Sequence, residues 1–192
     1  MGHFFAYINR TKLIKRWGLM RNTETESLSE HLYETALLAH ALAVIQNTKF
    51  GDNVNADKIA VAALYHDASE IITGDLPTPV KYYNDEIKSA YQKIEAETRE
   101  MLISKLPDFL KDIYSDILSE EILTEKEKLI VKTADTLSAY LKCIEEQKAG
   151  NHDFEGAAVG IKKKLDSNSL PALKYFIEEF LDSYSLSIDE LK

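Results

Sequence analysis

Cysteine is almost missing from this chain. Cys143 is the only one in 192 residues, so no intrachain disulfide can form, and a reducing compartment, the cytoplasm, is expected. Cys143 itself reads as a small apolar residue on a helix. Long apolar runs are missing as well. The richest, TALLAHALAVI, falls far short of the roughly 18 to 20 residues of a membrane span, so no transmembrane helix is expected. The opening MGHFFAYINRTKLIKRW has no small-residue cleavage site behind an apolar run, and Ala6 stands where a myristoylation signal needs Ser or Thr. Basic residues are outnumbered, 23 Lys and Arg against 32 Asp and Glu, and the formal charge of -9 disfavours a nucleic-acid polymer as partner. A small phosphorylated molecule needs only a few local cations.

Sustained alternation of polar and apolar residues is absent too, which excludes strands and leaves an all-α chain. Residues 29–47 place Leu37, Leu38, Ala41, Leu42 and Ile45 at helical spacing, and Ser27 with Glu30 has the spacing of a capping box. A second helix is expected from Asn55 through NADKIAVAALYHDASEIIT to Gly74. After the turn GDLPTP, a third repeats Ile87, Tyr91, Ile94, Met101 and Leu102, with Pro107 ending it and opening the next. Thr124 and Glu127 form another capping-box spacing before KLIVKTADTLSAYLKCIEEQKAG, closed by Gly150, and two more helices follow to the end. With 45% hydrophobic and 29% charged residues and no linker composition, 1–192 reads as one domain.

One stretch does not suit a core. In YHDASE, His66 and Glu70 lie one helical turn apart with Asp67 beside them, so the three side chains converge. Imidazole plus carboxylate suits a transition-metal ion of the Mn, Fe, Co, Ni or Zn kind. Neighbours alone leave such a site incomplete, and two further candidates stand on other helices: His31 in a first turn and Asp135 in mid-helix, where Asp is a poor choice without a function. Alone, a His on a helix reads more readily as a hydrogen-bonded structural residue, and Asp135 as a solvated or cap-like one; the combination points to metal. His40 faces away from His31, and His3 and His152 read as surface residues.

A His, an adjacent His-Asp pair and a distant Asp, all on helices, resemble the H…HD…D signature of the HD-domain metal-dependent phosphohydrolases. HFFAYINRTKLIKRWGLMRNTETESLSEH, YHDASEIITGDLPTPVKYYN and VKTADTLSAYLKCIEEQKAGN are more specific: they resemble the bacterial HD-domain 5′-deoxynucleotidases, the YfbR-like proteins, over about residues 3 to 190. The resemblance implies a single-domain HD-type helical bundle with a metal-site core at about 28–145, and C-terminal helices at 151–192 packing on the core or in a dimer interface. It implies hydrolysis of 2′-deoxyribonucleoside 5′-monophosphates to deoxynucleoside and phosphate by a homodimer. His31, His66, Asp67 and Asp135 would hold one divalent ion, Co, Mn or similar, with His31 and Asp67 also near the substrate. Arg16 would orient the phosphate, Trp17 would pack near the sugar, and Asp75, Leu76, Pro77 and Thr78 would form the wall beside the nucleoside. Where the family often has Pro after the Trp, this chain has Gly18, which loosens the Arg-Trp turn and bears on sugar selection.

The residues admit a physical role for each. A metal polarises the ester and lowers the pKa of bound water, and the guanidinium fork of Arg16 fits phosphate. Glu70 either transfers a proton or hydrogen-bonds a ligand histidine. Trp17, the only tryptophan, serves core packing or crowds the 2′ carbon; Asp75 is a turn residue or a partner for the 3′ hydroxyl. Nucleotide salvage is the expected setting. Two rivals stand beside this reading: an HD phosphohydrolase for a cyclic or polyphosphorylated nucleotide, and a non-catalytic, metal-stabilised nucleotide sensor.

Overall fold

A computed structural model describes residues 2–81 and 83–192. Among them run the helices α1 (Phe4–Ile8), α2 (Leu28–Phe50), α3 (Ala56–Ala63), α4 (Glu70–Thr73), α5 (Thr78–Lys81), α6 (Asp85–Ser104), α7 (Asp108–Leu118), α8 (Glu125–Lys148), α9 (Glu155–Asp166) and α10 (Pro171–Phe180). Among the described residues extended pairing is limited to one isolated antiparallel bridge, Lys15 to Ser27, so the chain is all-α.

The two longest helices begin as their sequences dictate. Ser27 accepts the Glu30 N–H while the Glu30 carboxylate takes the Ser27 N–H, and Thr124 with Glu127 repeats the exchange at the start of α8. Gly51, at φ 74, ends α2 in the left-handed region that a side chain resists. Leu38, Ala39, Leu42 and Ala43 of α2 share one core with Ile59 and Ala62 of α3 and with Ile130, Ala134, Leu137 and Leu141 of α8. The alanines let these helices approach closely. Replacing fully buried Leu42 by Ala would cost about 2–5 kcal/mol. Leu165, Leu173 and Phe176 bring α9 and α10 onto the same core, while Leu37, Ile87 and Ile94, expected on buried faces, are exposed. A second cluster, Phe4, Ala68, Leu102, Leu106 and Leu118, joins α1, α6 and α7 beneath the His-Asp segment.

That segment departs from the expected continuous helix. α3 stops at Ala63 and α4 begins only at Glu70; between them the backbone bonds run three residues apart, from Tyr65 N–H to Ala62 O, Ala68 to Tyr65 and Glu70 to Asp67. The cause is local. His66 Nδ1 lies 2.7 Å from Ala63 O, the carbonyl that the Asp67 N–H would take in a regular helix, so the imidazole displaces the ladder. A one-turn helix, α5, likewise stands where a plain turn was expected. Gly74, at φ 70, ends α4.

Candidate metal and phosphate site

α2 brings His31 in its first turn, the α3–α4 connection brings His66 and Asp67, and α8 brings Asp135. One ligand atom from each of these four residues lies within 4.8 Å of all the others. His31 Nε2 is 3.1 Å from Asp135 Oδ1 and 3.8 Å from Asp67 Oδ2, and His66 Nε2 is 3.2 Å from Asp67 Oδ2. Both imidazoles present Nε2 to the common centre because Nδ1 is engaged elsewhere. His66 Nδ1 donates to Ala63 O. His31 Nδ1 meets Ser138 Oγ at 3.1 Å, and Ser138 gives its own proton to Glu34 Oε2 at 2.6 Å, so the hydroxyl accepts from the imidazole. Each Nε2 therefore keeps its lone pair for the centre.

The residues present fit a divalent ion. His66 Nε2 is buried with no hydrogen-bond partner, and two imidazoles with two carboxylates are a donor set for a first-row transition metal. Burial works against charge on His66, but Asp67 and Asp135 outweigh it and raise its pKa well above the ordinary imidazole value. The Asp135 side chain is 39% exposed; desolvation works against its charge, but the neighbouring imidazoles of His31 and His66 outweigh it and hold the carboxylate well below its ordinary value. A shared cation would take the place of the protons at these groups.

Glu70 lies beside this cluster, 5% exposed, with Oε2 unpartnered. Burial first, then the charges of Asp67 and Asp75, push its pKa up to about 9. A cation held by the cluster would oppose those charges and lower the value again. Arg16 lies near the same carboxylates. Burial opposes its charge, yet Glu26, Asp135, Asp75 and Asp67 raise its pKa above the ordinary value, so the guanidinium stays charged. Its Nη1 donates to Glu26 at 3.1 Å, while Nε is buried without a partner. A buried, fixed cation with a spare donor suits an anion.

Trp17 follows in an uncommon backbone conformation, φ 59. Its N–H donates to Asp75 Oδ2 at 3.1 Å, its indole Nε1 donates to Glu26 Oε2 at 2.7 Å, and its ring packs 5.2 Å from Phe154. Leu76, Pro77 and Thr78 lead from Asp75 into α5. The structure thus gathers His31, His66, Asp67, Asp135, Glu70, Arg16, Trp17 and Asp75 in one region. His40 pairs loosely with Asp57, and His3 and His152 are exposed. Lys81 is drawn to Glu95, at 3.1 Å. Three contributors gave no signal in sequence: Glu26 in the polar run TETES, and Glu34 and Ser138, whose helical spacing resembles any surface position.

A family model described as 5′-deoxynucleotidase YfbR-like matches residues 3–184. The chain belongs to that family. The 5′-deoxynucleotidase of Enterobacter sp. strain 638 is 50% identical over 189 residues, 98% of this chain and 95% of the relative. The 5′-deoxynucleotidase YfbR of Escherichia coli ATCC 8739 is 49% identical over the same shares. Among solved structures, an HD-domain phosphohydrolase of Listeria innocua superposes with TM-score 0.82 at 24% identity, covering 95% of this chain and 88% of the other. The cyanophage S-2L HD phosphohydrolase, bound to dA and one catalytic zinc ion, gives TM-score 0.64 at 20% identity over 93% of this chain and 95% of that one. At those identities the two structures establish the shared fold.

Proposed function

We infer that this YfbR-like chain is a metal-dependent 5′-deoxynucleotidase that hydrolyses 2′-deoxyribonucleoside 5′-monophosphates to deoxynucleoside and inorganic phosphate. The observation that carries the reading is the closure of two imidazoles and two carboxylates from three segments around one centre, with the unpartnered Nε of buried Arg16 nearby. In this reading His31, His66, Asp67 and Asp135 hold one divalent transition-metal ion, which when bound supplies Lewis acidity toward a phosphate oxygen and a lower pKa for water. Arg16 orients the phosphate and offsets the charge that builds on its oxygens. Water attacks phosphorus, the bond to the 5′ oxygen breaks, and Glu70 carries the proton that passes between water and that oxygen.

The sugar lies between Trp17 and the Asp75–Thr78 segment. Trp17 crowds the 2′ position, so a ribose hydroxyl clashes there; the Asp75 oxygen not engaged with Trp17 accepts from the 3′ hydroxyl. His31 and Asp67 also border the phosphate. A second copy of the chain is the expected partner, and exposed Tyr33, Leu37 and Val44 offer it an apolar stripe along α2. A cytoplasmic place in nucleotide salvage fits the single buried thiol, and no helix among the described residues is long and apolar enough to cross a membrane.

Phosphate release from paired deoxy- and ribonucleoside 5′-monophosphates, in a series of Mn, Co and Zn, tests ion, reaction and sugar together. Preferential release from the deoxy member is expected. Release from cyclic or polyphosphorylated nucleotides alone would refute the assignment.

A further inference from the structure

Glu26 belongs to no motif, yet it occupies the junction of the site. It is 9% exposed, and its two oxygens divide between the two side chains that the reading above assigns to phosphate and sugar. Oε1 accepts from Arg16 Nη1 at 3.1 Å and Oε2 accepts from Trp17 Nε1 at 2.7 Å. The same carboxylate comes within 3.8 Å of His31 Nδ1. Its backbone is equally fixed: Arg16 N–H donates to Glu26 O at 2.9 Å, Leu28 N–H donates to Ile14 O at 2.8 Å, and the Lys15–Ser27 bridge lies between them. Segments 14–17 and 26–28 therefore form one unit joined to the start of α2, the helix that presents His31.

Two features need such a holder. An Arg side chain carries much rotamer freedom, and fixing it before substrate arrives lowers the cost of binding. A non-glycine residue at φ 59 persists only where its surroundings hold it, and Trp17 is held by Asp75 at its backbone and by Glu26 at its indole. The Arg16 bond uses Nη1 and leaves Nε without a partner, a donor still to be matched by an anion.

We propose that Glu26 is the positioning residue of this site, one carboxylate that sets the guanidinium of Arg16 for phosphate and the indole of Trp17 for sugar discrimination. The proposal rests on the deoxynucleotidase reading and adds that the two selections are mechanically joined: loosening Glu26 degrades both at once. Touching neither substrate nor metal, Glu26 acts through its neighbours.

The test compares wild type, Glu26→Gln and Glu26→Ala as full-length proteins. Trp17 is the only tryptophan, so intrinsic emission reports its surroundings without a probe. Expected for Glu26→Ala are a red-shifted emission, a rise in KM for deoxynucleoside monophosphates on the order of tenfold, the factor that one charge-assisted hydrogen bond commands, and a several-fold loss of preference over the ribonucleotide. Bound Co, measured by elemental analysis, stays at the wild-type ratio. Glu26→Gln keeps one acceptor and falls between the two, which also serves should the alanine variant fold poorly. Unchanged emission and sugar preference in folded Glu26→Ala would overturn the proposal. Loss of activity in step with loss of metal, with sugar preference intact, would also overturn it by assigning Glu26 to the support of His31. A wild type that releases no phosphate from any deoxynucleotide sinks the functional reading and this proposal with it; an active wild type beside an indifferent Glu26→Ala sinks only the proposal.

Discussion

Asp75 Oδ2 accepts the backbone N–H of Trp17 at 3.1 Å, across 58 residues of sequence. The bond ties the loop after α4 to the Arg-Trp turn, so the two surfaces proposed to flank the sugar are fixed to each other before substrate arrives. Asp75→Ala removes that tie and the proposed acceptor for the 3′ hydroxyl together. KM for a deoxynucleotide should rise on the order of tenfold or more, while KM for a phosphate ester lacking a sugar stays near its wild-type value. Steady-state kinetics on both substrates checks the difference.

Glu70→Gln conserves shape and removes the titrating proton. Turnover should fall by roughly two to four orders of magnitude, the usual yield of a positioned proton carrier, with bound metal unchanged. Single-turnover kinetics beside elemental analysis decides, and normal turnover would remove Glu70 from the chemistry.

Acid should weaken the fold through two buried carboxylates. Burial works to raise the pKa of Glu127, but hydrogen bonds from Lys58, Thr124 and Asn55 outweigh it and hold the value at about 2; for Glu146, Lys142, Thr23, Asn151 and Glu24 do the same. Both lie below their ordinary 4.5, so the unfolded chain binds more protons in between. The stabilisation is complete above pH 4.5 and drains away as pH falls toward 2. Urea midpoints measured from pH 6 to 2.5 should drop progressively across that window, and less steeply in Glu127→Gln.

Gly18 is not required by its backbone. Its φ is not positive, and a Cβ built there meets nothing within 4 Å. Gly18→Ala should therefore stabilise by about 0.4–1 kcal/mol, mainly by restricting the unfolded chain. A melting temperature raised by one to a few degrees, on the order expected for a chain of this size, is the check.

The long helices were legible because their signals are local: Ser27 with Glu30, and Thr124 with Glu127, lie three residues apart and act within one turn. The candidate ligands were legible for a different reason: singly His31, His66, Asp67 and Asp135 say little, and only Asp135 is out of place in mid-helix, but together they match the H…HD…D signature. The break at Ala63 was not legible. Periodicity through YHDASE fits a helix, and only the three-dimensional reach of His66 Nδ1 to Ala63 O interrupts it. Glu26 and Ser138 stayed hidden because their importance comes from partners 9 to 107 residues away, and no spacing rule spans that distance.

On α8, Glu146 accepts the backbone N–H groups of Thr23 and Glu24, while Lys142 reaches the Glu24 carbonyl at 2.6 Å. These contacts read main chain and ignore side-chain identity. Positions 23–25 are consequently free to drift in composition over evolutionary time but not in length, unlike Asn22, whose side chain donates to the Trp17 and Met20 carbonyls: adding or deleting a single residue would slide the amides of 23 and 24 off their acceptors and disturb Arg16 and Trp17 upstream.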